Sequence, residues 1–181
     1  MTSHFDVVAI DPSLTGLAVV SATSSNTNYQ EFSSKPAKTL TSRVARFHTL
    51  ADSVKSILQT DFPRLCLIEG YAFSAKGSSA LSLAEFGGIL RSRIVGYADV
   101  TIEVPPTLLK KFVTGKGNAS KIDVVSALSS KYGIIFKNDN HADAFGLSRL
   151  GLAALGLLEA KNKHERETVS IVQGLMEKEN P

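Results

Sequence analysis

The chain has 181 residues, 43% of them hydrophobic and 20% charged, with a formal net charge of +3. That length fits one domain with a full core, and the composition excludes a disordered or fibrous chain. The single Cys66, inside the apolar run PRLCLIE, excludes an internal disulfide and a CxxC zinc motif.

Phe5 to Ile10 is a valine-rich apolar run closed by Asp11-Pro12, which reads as a central strand and a turn. Gly16 to Ala22 continues as a second strand, SATSSNTN as a hairpin loop, and Tyr29 to Ser33 as a third strand at an edge. Val44, Phe47, Leu50, Ala51, Val54, Ile57 and Leu58 then recur at helical spacing, predicting a helix over 41–60 that ends at Asp61-Phe62-Pro63. Leu65 to Ile68 gives a buried fourth strand, 78–95 a helix with small residues, and Val100 to Val104 a fifth strand stopped by Pro105-Pro106. Helices follow at about 106–113 and 120–131, and a strong one from near Asn140 to about Lys161. The pattern predicts an α/β domain over 1–160, a mixed five-stranded sheet with helices on both faces. Residues 161–181 read as a charged C-terminal tail, helical in part and mobile at its end.

No run of about 18 apolar residues suggests a membrane span. The opening MTSHFDVVAID lacks the basic and apolar regions of a signal peptide. A cytoplasmic setting in a bacterial or phage-infected cell is the expectation.

Three acids stand where apolar runs end. Asp11 closes FDVVAID, Glu69 closes RLCLIE, and Asp143 lies in NDNHADAF, at the opening of an apolar helix. A carboxylate at the margin of a core needs a cation or hydrogen bonds. Each has an ordinary alternative: a turn Asp-Pro, a strand-end salt bridge, and helix-dipole compensation. Three together make sense if the fold gathers them around a divalent ion. From Pro105 to Lys137, six lysines face one acid, Asp123. That charge suits a polyanion, or merely solvated helix faces.

Four separated segments, AIDPSLTG, LIEGYAFSAKG, VTGKGNASKIDV and HADAFGLS, resemble the RuvC group of Holliday-junction resolvases within the ribonuclease H-like nucleases. They stand in the family's order and span about residues 5 to 155. The resemblance implies a ribonuclease H-like fold and a homodimer. It also implies paired nicking of four-way DNA junctions with two Mg²⁺ ions per site, Mn²⁺ substituting, and branch-migration machinery as a further partner. Asp11, Glu69 and Asp143 match three catalytic, metal-binding acids. Lys110 and Lys121 match two functional lysines, Lys121 within the catalytic set. Lys116 and Asn118 lie in the glycine loop as DNA contacts, and Lys76 in the SAKG segment as another. Phe73 resembles an aromatic at the junction centre, where base stacking would hold it, and Tyr71 is its rival.

The chain departs from the family at the fourth ligand. Three residues before the final acid stands Asn140, with Asp139 and His141 beside it. At 100° per residue Asp139 and Asn140 fall near the face of Asp143, and His141 nearly opposite. Asp139 is favoured as fourth acid, Asn140 as a weaker neutral ligand, and His141 stays open if the backbone is irregular. Two other readings remain: a related nuclease for flaps, forks or RNA, and a junction-binding module whose nuclease site has decayed. DPSLTG is also similar to the phosphate loop of actin-like ATPases, which need a second half that this chain has no room for.

Overall fold

In the computed structural model, which describes residues 4–71 and 78–179, strand β1 (Val7–Asp11) is buried along its whole length. Successive strand residues face opposite sides of a sheet, so an apolar central strand needs a core on each side. Val7 and Ala9 join one apolar cluster, Val8 and Ile10 the other. β2 (Leu17–Ala22) pairs antiparallel with β1, and β3 (Thr27–Phe32) antiparallel with β2. β4 (Leu65–Glu69) and β5 (Val100–Val104) add in parallel beyond β1, giving the order β3-β2-β1-β4-β5. This is the mixed five-stranded sheet that the sequence pattern predicts.

Helices α1 (Leu40–Asp61) and α2 (Ser78–Ile94) cover one face. Phe47, Val54 and Leu58 of α1, with Phe86 and Leu90 of α2, pack on Val8, Ile10, Cys66 and Ile68. Thr39 and Ser42 form a capping box at the start of α1. The helix stops at Phe62, whose φ is +36°, immediately before Pro63.

The other face carries α3 (Pro106–Thr114), α4 (Lys121–Tyr132), α5 (Asp139–Ala154) and α6 (Lys163–Glu179). α5 lies directly on β1, β2 and β4. Gly151 permits that approach, since a Cβ there would stand 2.5 Å from Leu67 Cδ1 and 2.9 Å from Val7 Cγ1.

The C-terminal part differs from the sequence reading. The helix expected to reach Lys161 ends at Ala154, because Gly156 turns the chain with φ +73°. The expected charged tail is largely α6, which packs against α3, α5 and β5 and buries Thr168, Val169 and Val172. Its many charges mask a helical spacing of buried positions. Glu165 among them is only 3% exposed, yet it accepts hydrogen bonds from Lys131 Nζ at 2.6 Å and the Lys161 amide at 2.7 Å. Among the described residues, no helix is long and apolar enough to cross a membrane.

Overpacking by Gly151→Ala should lower the unfolding free energy by about 1–3 kcal/mol. Gly174→Ala in α6, where an added Cβ meets nothing within 4 Å, should instead stabilise by up to about 1 kcal/mol through helix propensity. Urea denaturation of the two variants checks both signs.

Candidate active site

Asp11 is the last residue of β1 and Glu69 the last of β4. These strands are parallel neighbours, with Ile10 opposite Ile68, so both carboxylates emerge side by side at the carboxyl edge of the sheet. Asp143 arrives from the second turn of α5, which the close packing on β1 brings under the same edge. One carboxylate oxygen from each of the three lies within 4.8 Å of the others. They form the wall of a cleft of about 510 Å³ that also exposes Ser13, Thr15, Lys110, Lys121 and Asn140.

The electrostatics follow from burial and repulsion. Burial, and then the charge of Asp143, raises Asp11 well above the ordinary carboxylate range. Glu69 is raised by burial and then by Asp11 and Asp143. Both carboxyls therefore hold protons more tightly than ordinary side-chain acids do. Asp143 is raised by burial to about 6, with Lys121 and Lys110 opposing that rise. A set of hard oxygen donors whose burial and mutual repulsion a cation would relieve suits a divalent ion such as Mg²⁺ or Mn²⁺.

The three residues that compete for the fourth place go separate ways. Asn140 lines the cleft and donates its Nδ2 to the Gly16 carbonyl at 2.9 Å. Asp139 stands outside the three-acid cluster, its Oδ2 accepting from Lys121 Nζ at 2.5 Å. That bond holds its carboxyl below the usual range. His141 points elsewhere: it stacks on Tyr29 with ring centroids 3.7 Å apart, and its Nδ1 accepts from the Lys137 amide at 3.3 Å. Helical geometry accounts for His141, but the choice between Asp139 and Asn140 depends on which partner each finds across the fold.

The basic stretch is not one surface. Lys111 binds Glu167 at 2.8 Å, Lys131 binds Glu165, and Lys137 binds Glu31 at 2.6 Å. Lys110 and Lys116 make no ion pair among the described residues. Lys110 lines the cleft, while Lys116 and Asn118 are exposed in the loop after α3. Tyr71 also lines the cleft but is tied down: Arg91 Nη1 donates to its hydroxyl at 2.8 Å and the guanidinium covers its ring at 4.6 Å. Phe73 and Lys76 lie outside the described residues.

One contributor has no local signal in the sequence. Arg46 of α1 donates to the Leu14 carbonyl and, at 2.6 Å, to Ser34 Oγ. It thereby holds the turn after Asp11 that supplies Ser13 and Thr15 to the cleft. Its role depends on the helix crossing beneath a loop 32 residues earlier.

A carboxyl raised in the folded state destabilises that state once pH exceeds its ordinary value. For Asp143 the loss begins near 3.8, the unfolded value, and is complete above about 6. In EDTA, Asp143→Asn should therefore gain on wild type across that window, reaching about 1–3 kcal/mol at neutral pH. Urea midpoints measured against pH check this, and added Mn²⁺ should narrow the gap by stabilising wild type.

Residues 7–148 match the sequence model of the family described as Crossover junction endodeoxyribonuclease RuvC. A RuvC of Treponema denticola is 26% identical over 160 residues, covering 85% of this chain and 90% of the relative. One of Carboxydothermus hydrogenoformans is 24% identical, covering 83% and 97%. The solved Thermus thermophilus RuvC superposes with a TM-score of 0.63 at 20% identity, covering 83% of this chain and 96% of that one. The same protein in complex with Holliday junction substrate gives 0.64 at 21%, covering 85% and 98%. The sheet order is thus that of the ribonuclease H-like fold, and the chain belongs to the RuvC family of crossover junction endodeoxyribonucleases.

Proposed function

We propose that this protein resolves four-way DNA junctions, hydrolysing phosphodiester bonds in two like strands by paired symmetric nicks. The observation that carries this is the convergence of Asp11, Glu69 and Asp143 in a cleft flanked by Lys110 and Lys121, in a chain of the RuvC family. Divalent-metal dependence is general to the family, and the three acids are the donors it needs. Asp11, Glu69 and Asp143, joined by Asn140 Oδ1, would hold two Mg²⁺ ions, with Mn²⁺ substituting. Bound there, the ions supply the charge that activates a water and stabilises the leaving 3′ oxygen.

The other residues prepare the strand. Asn140 commits its amide nitrogen to the Gly16 carbonyl, leaving its oxygen for the cleft. Lys110 and Lys121 draw the phosphodiester toward the acids and reduce their mutual repulsion. Ser13 and Thr15 place hydroxyls along the same wall. Lys116 and Asn118 would contact the flanking backbone, and such contacts make binding salt dependent. Tyr71, held by Arg91, forms a fixed aromatic wall for a base at the crossover. Phe73 and Lys76 enter as DNA contacts on the family resemblance alone.

A homodimer would present two such clefts to two like strands. Support comes from α2, where Leu81, Ala84 and Gly88 share an exposed stripe at helical spacing, continued by Val95 just past its end. Leu81 is 75% exposed and Val95 64%. The setting would be the cytoplasm of a bacterial or phage-infected cell, beside a motor that moves junctions.

The test is cleavage of a labelled mobile four-way junction in Mg²⁺, against matched duplex, flap and RNA–DNA hybrid. Symmetric, ligatable nicks in the junction are expected, with Asp11→Asn reducing them by about 100-fold or more while junction binding persists. Equal cutting of duplex, or near wild-type cutting by Asp11→Asn, would count against the proposal. Asn140→Asp adds a fourth negative charge but cannot donate to Gly16. It should bind Mn²⁺ about tenfold more tightly and lose about 1–2 kcal/mol of metal-free stability, as calorimetric titration and urea midpoints would show.

A further inference from the structure

We infer that Asp139 serves as the counter-ion of Lys121 and stands outside the metal-ligand set, and that an entering DNA phosphate takes Lys121 from it. The inference rests on reading the cleft as a phosphodiester site, and it assigns Asp139 a role as a positioning residue acting through Lys121.

Four features of the pair lead there. Lys121 lines the cleft beside Asp11, Glu69 and Asp143, whereas Asp139 does not line it. Lys121 is the first residue of α4, where the positive end of the helix dipole opposes a cation, so it is drawn to any nearby anion. Asp139 is the first residue of α5, where the same dipole favours it. Its own amide and that of Asn140 further stabilise its charge. Asp139 is thus the anchored partner and Lys121 the movable one. Finally, the two side chains are 41% and 63% exposed, and an ion pair so open to water is weak enough to exchange.

A phosphodiester carries one negative charge, as Asp139 does, so the exchange leaves Lys121 neutralised throughout. The phosphate releases a condensed counterion, and the abandoned Asp139 carboxylate takes one up from solution. Lys121 then adds nothing to the net salt dependence of DNA binding in the wild type. Asp139 acts as a competitor that weakens DNA binding through Lys121 and holds Lys121 beside the cleft until a strand arrives.

The test is a double-mutant cycle on DNA binding in EDTA, where no strand is cut, using labelled four-way junction and matched duplex. Asp139→Asn is expected to tighten binding about two- to fivefold and to steepen the salt slope by about 1. Lys121→Ala is expected to weaken binding, and Asp139→Asn added to it to have little further effect on affinity or slope. No effect of Asp139→Asn, or an equal effect in both backgrounds, would overturn the inference. Titration with Mn²⁺ in the absence of DNA gives a second readout. Asp139→Asn should keep wild-type affinity within about twofold, and Asp143→Asn should lose about tenfold or more. A loss in Asp139→Asn matching that of Asp143→Asn would make Asp139 a ligand and sink the idea. Duplex carries the same phosphates as a junction, so the cycle still reads Lys121 if wild type shows no junction preference. That latter result would count against the function alone.

Discussion

Three carboxylates whose oxygens lie within 4.8 Å of one another repel, and the rest of the molecule is arranged to hold them there. Partial withdrawal from water adds to the cost, which is why all three are pushed toward their protonated forms. A flexible scaffold would let them drift apart. Here two of them are the final residues of adjacent parallel strands, and sheet hydrogen bonding sets their separation. The third is fixed by a helix pressed so close to the sheet that a Cβ at position 151 would stand 2.5 Å from Leu67 Cδ1. The apolar clusters on both faces supply the free energy that offsets the repulsion.

Charge is partitioned around this centre with the same economy. The lysine-rich stretch could have formed a uniform basic face. Instead Lys111 and Lys131 are taken up by Glu167 and Glu165 of α6, and Lys137 by Glu31 of β3. What faces the cleft is Lys110 and the exchangeable Lys121. α6 therefore does more than add apolar area to the sheet. By pairing two lysines with its glutamates, it leaves positive potential concentrated beside the acids, where a phosphate is wanted. The Glu165 carboxylate can be almost fully buried because Lys131 and the Lys161 amide satisfy it.

Legibility in the sequence varied with the kind of evidence. The strand-end acids stood out because an apolar run followed by a carboxylate is a local pattern. Helical angle set His141 apart from its neighbours only for a regular backbone, which α5 provides, and neither His141 nor the Tyr29 on which it stacks lines the cleft. Asp139 and Asn140 were not separable that way, since both fall on the right face. Their difference is one of partners: a lysine on α4 for one, a carbonyl after β1 for the other. Arg46, gripping the Leu14 carbonyl, carried no signal at all, because an arginine on a helix has too many ordinary uses.

What the sequence by itself determined is whatever depends on near neighbours in the chain. Periodicity marked the five strands and the helices on either side, and turn residues marked most of their ends. Periodicity misled where composition masked it, as in α6, whose charged residues hide the buried face that docking creates. Tertiary structure alone decided the pairings: Lys121 with Asp139 across 18 residues, Asn140 with Gly16 across 124, Lys137 with Glu31 across 106. The physical reason is that hydrophobic pattern specifies which face of an element is buried but not which polar group will wait on the other side. Ion pairs and amide hydrogen bonds act only at contact distance, and contact between distant residues exists only once the sheet and its helices have closed.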